Sequence, residues 1–197
     1  MQKPPILILG AGGHAAACID VLEAEGKFEI QGCLGTEQEK GESILGYPVL
    51  GTDEDLSILI KRCPYVLIGV GQIQTPEPRR KLFQKARALG AKFPVICSPS
   101  SRVSSHAVLG EGTIVMHGAL VQPRAMVGQN TILNSHCLVE HDVRIAEDCH
   151  ISTGAILNGG AHVVRGCFIG SRAVLQEGVV VSDDTVIPMG EVLRRPR

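Results

Sequence analysis

Large rings are scarce in this 197-residue chain: 4 Phe, 2 Tyr and no Trp make up 3% of it, although hydrophobic residues as a class reach 44%. A compact core of this size ordinarily uses rings as fillers, so the shortage excludes an aromatic-rich core and points to a narrow, regular interior of aliphatic and small side chains. A surplus of one charge is also missing. With 19 Lys+Arg against 20 Asp+Glu and a formal net charge of -1, no global field favours nucleic acid or an anionic membrane, and any phosphate must be held locally. No apolar run approaches the roughly 20 residues that span a bilayer. At the N-terminus a short apolar run precedes Ala15-Ala16-Ala17-Cys18, but Gly10-Ala11-Gly12-Gly13-His14 interrupts it. That segment reads as a strand entering a glycine turn, not as an export signal. The seven cysteines are odd in number and have no CxxC spacing, which argues against a disulfide framework or a structural zinc site and fits a soluble protein of the reducing cytoplasm.

What is present falls into two halves that meet near Ser98-Pro99-Ser100-Ser101. In residues 1–98, apolar runs alternate with amphipathic stretches. Strands are expected at 6–9, 29–34, 65–70 and 93–97, with helices at 14–25, 53–62 and 78–89. Strand and helix in alternation mean βαβ units, a parallel sheet and a small Rossmann-like α/β domain.

In residues 99–197 the helical signal disappears and a period of six takes over. From Val103 in steps of six, fifteen consecutive positions through Val121, Val139 and Leu157 to Ile187 are all Val, Leu or Ile. Four residues after each stands, with few exceptions, something small, such as Ala107, Thr113, Ala119 or Cys137. This is the signature of an all-β left-handed parallel β-helix in which three hexads form one triangular coil. Fifteen hexads make about five coils. Cys137, Cys149 and Cys167 occupy the small position and read as inert small hydrophobes.

The Gly10 to His14 turn joins a strand to a helix, where glycines let a backbone approach a phosphate and the helix N-terminus supplies free N–H groups. A dinucleotide site would need an acid about twenty positions on, and Leu34-Gly35-Thr36 stands there, with Glu37 and Glu39 the nearest acids. A sugar carried on a nucleoside diphosphate fits better than NAD. Gly69-Val70-Gly71-Gln72 ends another strand, and in a parallel sheet both turns would line one crevice. Arg79, Arg80 and Lys81 read as a solvated helical face. Of the seven histidines, His141 stands out, because Asp142 beside it could orient the imidazole and raise its basicity.

Together, the GAGGH turn, the IGVG turn, KFP before a Ser-Pro, ILN followed by EHD, and the glycine pair in ILNGG resemble the bacterial sugar acetyltransferases that make bacillosamine, including sialic acid O-acetyltransferase-like proteins. The resemblance covers nearly the whole chain. It implies a homotrimer, with acetyl-CoA in the groove between adjacent β-helices of the acetyltransferase domain, residues 99–197, and a nucleotide-linked sugar on the N-terminal domain, residues 1–98. It implies His141 as general base with Asp142 beside it, and Asn134 orienting the substrate. His150, Gly159 and Ser171 correspond to acetyl-CoA contacts, and Gly12, Gly13, His14 and Gly71 to residues that hold the nucleotide-sugar. The reaction implied is direct N-acetylation of a 4-amino sugar for glycan biosynthesis, with no metal. The family's acidic pair after the second strand reads Gly35-Thr36 here, which leaves the nucleotide open. Rival readings are O-acetylation of a sugar hydroxyl, a non-catalytic scaffold, and a β-helical zinc carbonic anhydrase. The last would use His136 and His141, but position 100, where its third ligand should stand, is Ser.

Overall fold

A computed structural model describes residues 3–194. The first half is built from β1 (Pro5–Leu9), α1 (Gly13–Glu25), β2 (Glu29–Gly35), β3 (Ser43–Ile44), β4 (Tyr47–Thr52), α2 (Leu56–Leu59), β5 (Tyr65–Ile68) and α3 (Glu77–Ala88). Ile6, Ile8 and Leu9 have no exposed surface, which a near-continuous apolar run achieves only as a central strand covered on both faces. The sheet runs β3-β4-β2-β1-β5, parallel except for β3 against β4, so the chain reverses its strand order around β1.

Three expectations change. The helix at 53–62 shrinks to the single turn α2, because Ile58 is 65% exposed and Pro64 follows, leaving too little apolar face to dock a longer one. The β3–β4 hairpin is absent from the sequence reading, because its turn residues are Leu45 and Gly46 (φ 49° and 87°) where Asn-Gly would be the usual signal. The strand expected at 93–97 does not belong to the first sheet: Ile96–Cys97 pairs with Ile114 and Val115.

Those two residues begin a left-handed parallel β-helix of three sheets with six, five and six two-residue strands. The six-residue register therefore extends one step beyond each end of the run from Val103 to Ile187, to Cys97 and Leu193. Every strand pairs with the one 18 residues on, as Leu120 with Leu138 and Leu138 with Ile156. The aliphatic and small positions interdigitate in one continuous interior. The corners use a further position, three residues after each aliphatic, whose φ is positive from Gly112 to Gly190: Gly112, Gly118, Arg124, Asn130, His136, Asp142 and onward. The sequence reading had found two of the repeat's constrained positions and missed this one.

The first residue of each strand points outward, and the three faces differ. Face one presents Ile96, Ile114 and Ile132, which are wholly buried in a core shared with Ala15, Ile19 and Leu22 of α1. The halves are thus fused through one apolar seam. His117 pins its edge, its Nε2 2.7 Å from Asp20 and its Nδ1 2.6 Å from the Ser98 hydroxyl. Arg80 pins the other, bonding Asp148 at 2.9 Å and Asp184 at 3.2 Å. Face two carries Arg102, Leu120, Leu138, Ile156, Val174 and Val192, and face three Val108, Met126, Arg144, His162 and Val180. Among the described residues no helix is long and apolar enough to cross a membrane.

The solvated face expected of Arg79 and Arg80 is overturned. Arg79 has no exposed surface. It donates from Nη1 to the carbonyls of Ile68 (2.7 Å) and Val70 (3.0 Å) and from Nε to that of Asn130 (3.2 Å). Burial pulls its pKa down to about 10, which leaves it charged at neutral pH. Its physical task is to satisfy carbonyls where β5 ends and the coil begins. Arg79→Met strands two buried acceptors and a third that is half-buried, so we expect a loss on the order of 3 kcal/mol in denaturant melts. A solvated side chain would cost no more than about 0.5 kcal/mol.

Candidate functional site

At the carboxyl ends of β1, β2 and β5, where the strand order reverses, lies a cleft of about 350 Å³. Both glycine turns line it: Gly10 to His14 from one side, Gly69-Val70-Gly71 from the other, with Leu34, Gly35, Thr36, Glu39 and Asp53 closing the end. Gly10 has φ 124°, and a side chain there would fall 2.8 Å from the Gly69 carbonyl carbon, so the two turns touch only because position 10 is glycine. Helix α1 starts from Gly12 with no side-chain cap and no acid in its first turn. Its first N–H groups are therefore available to an anion, and the helix dipole favours one. The structure brings Gly12, Gly13, His14 and Gly71 together here, His14 lying 3.5 Å from where a Gly71 side chain would begin. The Nε2 of His14 is buried and has no hydrogen-bond partner.

Behind this cleft the halves share a buried polar network. His150 projects from face one and donates from Nδ1 to the Gln72 carbonyl at 2.6 Å. A carbonyl only accepts, so Nε2 carries the lone pair, and the amide of Asn134 donates to it at 3.0 Å. Both nitrogens of His150 are thus engaged within the chain. Gln72 in turn donates to the carbonyl of Gly166 at 2.9 Å. Phe168, the one Phe, Tyr or Trp of the second half, lies edge-on to His150 at 5.2 Å and so belongs to this seam. Ser171 bonds Ser152 at 2.9 Å on the corner between faces one and two, the corner that also carries Asn134.

The corner between faces two and three holds a different group. His141 Nδ1 lies 2.8 Å from the Asp142 carboxylate, which accepts a hydrogen bond from the Nδ1–H and so leaves Nε2 as the basic nitrogen. Asp142 is gripped from the other side by Arg124, whose Nε and Nη2 reach its two oxygens at 2.6 and 2.7 Å. That fork, and secondarily His141, holds the Asp142 carboxyl well below the usual carboxylate range. The imidazole lies over Gly159, where a side chain would start 2.7 Å from its Cε1. Glu140, His141, Asn158, Gly159, Gln176 and Glu177 enclose an open groove of about 420 Å³. Arg124 was missed in the sequence, although the period marks it: it stands 18 residues before Asp142, one coil away.

The candidate residues therefore form two groups. Gly12, Gly13, His14, Gly71, Asn134, His150 and Ser171 gather around the cleft, face one and its corner with face two. His141, Asp142 and Gly159 occupy the corner across the prism from face one. His136 and His141 stand at different corners.

Burial, then Arg79 and His150, lowers the pKa of His14 to about 3, and burial lowers that of His150 to about 4. Below the ordinary value of 6.5 the unfolded chain binds protons that the folded chain refuses. The stability these residues contribute is complete above about pH 6.5 and is lost as pH falls through about 4 for His150 and about 3 for His14. Urea melts across that window should show it, and His14→Gln should flatten the slope.

Comparison with known proteins adds to this geometry. The PglD N-terminal domain family matches residues 5–86. No curated protein matches the chain. PerB from Caulobacter crescentus, solved in complex with CoA and GDP-perosamine, is 31% identical with a TM-score of 0.91, over 98% of this chain and 90% of that one. The acetyltransferase domain of PglB from Neisseria gonorrhoeae FA1090 is 27% identical with a TM-score of 0.89, over 98% of this chain and 92% of its own. A histidine-to-alanine mutant of GDP-perosamine N-acetyl transferase from Caulobacter crescentus, also in complex with CoA and GDP-perosamine, is 29% identical with a TM-score of 0.70, over 97% and 93%.

Proposed function

The chain belongs to the sugar N-acetyltransferases of the hexapeptide-repeat family, and on that premise we propose that it moves an acetyl group from acetyl-CoA to the amine of a nucleotide-linked amino sugar, with His141 as general base. The observation that carries this reading is the Arg124–Asp142–His141 relay, which fixes the imidazole's tautomer and aims Nε2 at an open groove. In the step, the acceptor nitrogen forms a bond to the thioester carbonyl carbon, its proton passes to His141 Nε2, and the C–S bond breaks as CoA leaves. The imidazolium then returns the proton to the departing thiolate. Asp142, kept ionised by Arg124, stabilises the imidazolium between the two transfers. No acyl-enzyme is required.

Residues 1–98 supply the sugar nucleotide's cleft and residues 99–197 the acetyl transfer, yet cleft and base lie on opposite sides of one prism. Face two lies between the two groups. Its outward column of Leu120, Leu138, Ile156 and Val174 is apolar and only half covered by the chain itself. Burying that column around a three-fold axis makes a head-to-tail ring in which the His141 corner of one copy meets the Asn134 and Ser171 corner of the next. The homotrimer thereby completes the site, with Gly159 of one copy and Ser171 of its neighbour bordering the acetyl-CoA groove. Seven unpaired cysteines fit a cytoplasmic setting.

His141→Ala should lower acetyl transfer by about 10² to 10⁴-fold with the melting temperature unchanged, measured as CoA thiol release in the presence of UDP-, GDP- and dTDP-amino sugars. Turnover near that of the parent protein would remove His141 from the mechanism. Subunit exchange tests the shared site: inactive His141→Ala and Asn134→Ala chains, mixed and reassembled in equal amounts, should regain activity at about a quarter of the sites. No recovery would mean that both residues serve a site within one chain.

A further inference from the structure

Building on the nucleotide-sugar reading, we propose that Glu39 recognises the 2′-hydroxyl of the sugar nucleotide's ribose, so that the acceptor is carried on a ribonucleoside diphosphate and not on a 2′-deoxy one. In open α/β sheets a carboxylate at the end of the second strand receives the ribose of a nucleotide whose phosphates rest on the first helix. The residues at the end of β2, Gly35 and Thr36, carry no acid. Glu39 folds back to take that place. Its Oε2 accepts from the backbone N–H of Thr36 at 2.8 Å and from the Thr36 hydroxyl at 2.9 Å. A side chain at position 35 would begin 2.8 Å from that same Oε2 and 2.8 Å from the Cβ of Ala11. Glycine at 35 is thus what lets the carboxylate of Glu39 occupy the strand end.

Its other oxygen, Oε1, accepts no hydrogen bond among the described residues, and Glu39 lines the same cleft as both glycine turns. A second sign of an awaited ligand stands on the far wall, where the buried Nε2 of His14 has no partner. The space above Gly12 and Gly13 is open, no atom lying within 4 Å of where their side chains would begin. Phosphates over that turn place the next sugar toward β2, one strand spacing or roughly 5 Å to the side. Glu39 stands at that end. A carboxylate oxygen built to accept from a hydroxyl is left bare by a ligand that lacks it, which is how sites of this kind discriminate.

The test is calorimetric titration of the full chain with GDP, UDP, dGDP and dUDP, with and without CoA. The intact protein should bind at least one ribonucleotide about tenfold or more tightly than its 2′-deoxy counterpart. Glu39→Gln retains an acceptor oxygen for Thr36 but loses the free one, and should bring the pair within about twofold while the melting temperature stays put. Equal affinity for ribo and deoxy forms in the intact protein overturns the role of Glu39 and leaves the nucleotide-sugar reading standing. Discrimination that survives Glu39→Gln does the same. If none of the four nucleotides binds, the nucleotide-sugar reading itself falls, and the role of Glu39 with it.

Discussion

Eighteen residues per coil is the constraint from which the second half and its chemistry follow. Because each strand lies in register with the one 18 residues away, a side chain's neighbours along the prism are set by arithmetic. Interior positions see only other aliphatic and small side chains, so nothing inside needs or admits a large ring. At the corners the same arithmetic stacks Arg124 on Asp142 and Asn130 on Asp148. It sets His141 against Gly159 and His136 against Gly118, pairs in which the absence of a side chain on one coil makes room for a ring on the next. A functional group on such a scaffold is positioned by backbone hydrogen bonds above and below it, which suits a site that must hold an imidazole still.

The first half adds a different constraint. Covering face one required burying polar groups where two unlike architectures meet, and each residue finds specific partners, Arg79 in three carbonyls, His150 in Gln72 and Asn134, and Gln72 in Gly166, although Arg79 Nη2 and Gln72 Oε1 have none. Such pairing adds little net stability over an apolar seam, but any slip of one half against the other would leave several groups unpaired at once. The relative placement of cleft and coil is thereby specified. It also commits the cleft to one side of the prism and His141 to the other.

Legibility followed periodicity. The β-helix could be read because every sixth residue faces the interior and must be aliphatic, a demand no distant contact can relax. Pairs joined across the fold, and local turns without a sequence signal, were opaque. Arg79, inside an Arg-Arg-Lys run, carries no local sign that it will meet the carbonyl of Asn130. Glu39 looks like a loop acid until the chain folds back on Thr36, and the β3–β4 hairpin turns on a leucine in a conformation leucine rarely adopts. Arg124 lies between these cases. The period indicated its partner, but only the positive-φ corner shows that both residues point along the same edge.

By itself, then, the sequence determined the two architectures, the glycine turns at the strand ends and the His-Asp pair, since each depends on neighbours close in the chain or on an unbroken period. Only the tertiary structure decided which of those features share a site. That depends on which face of the prism the first half covers, and the choice rests on buried contacts, such as Arg79 with Asn130 and His150 with Gln72, whose partners stand 51 and 78 residues apart.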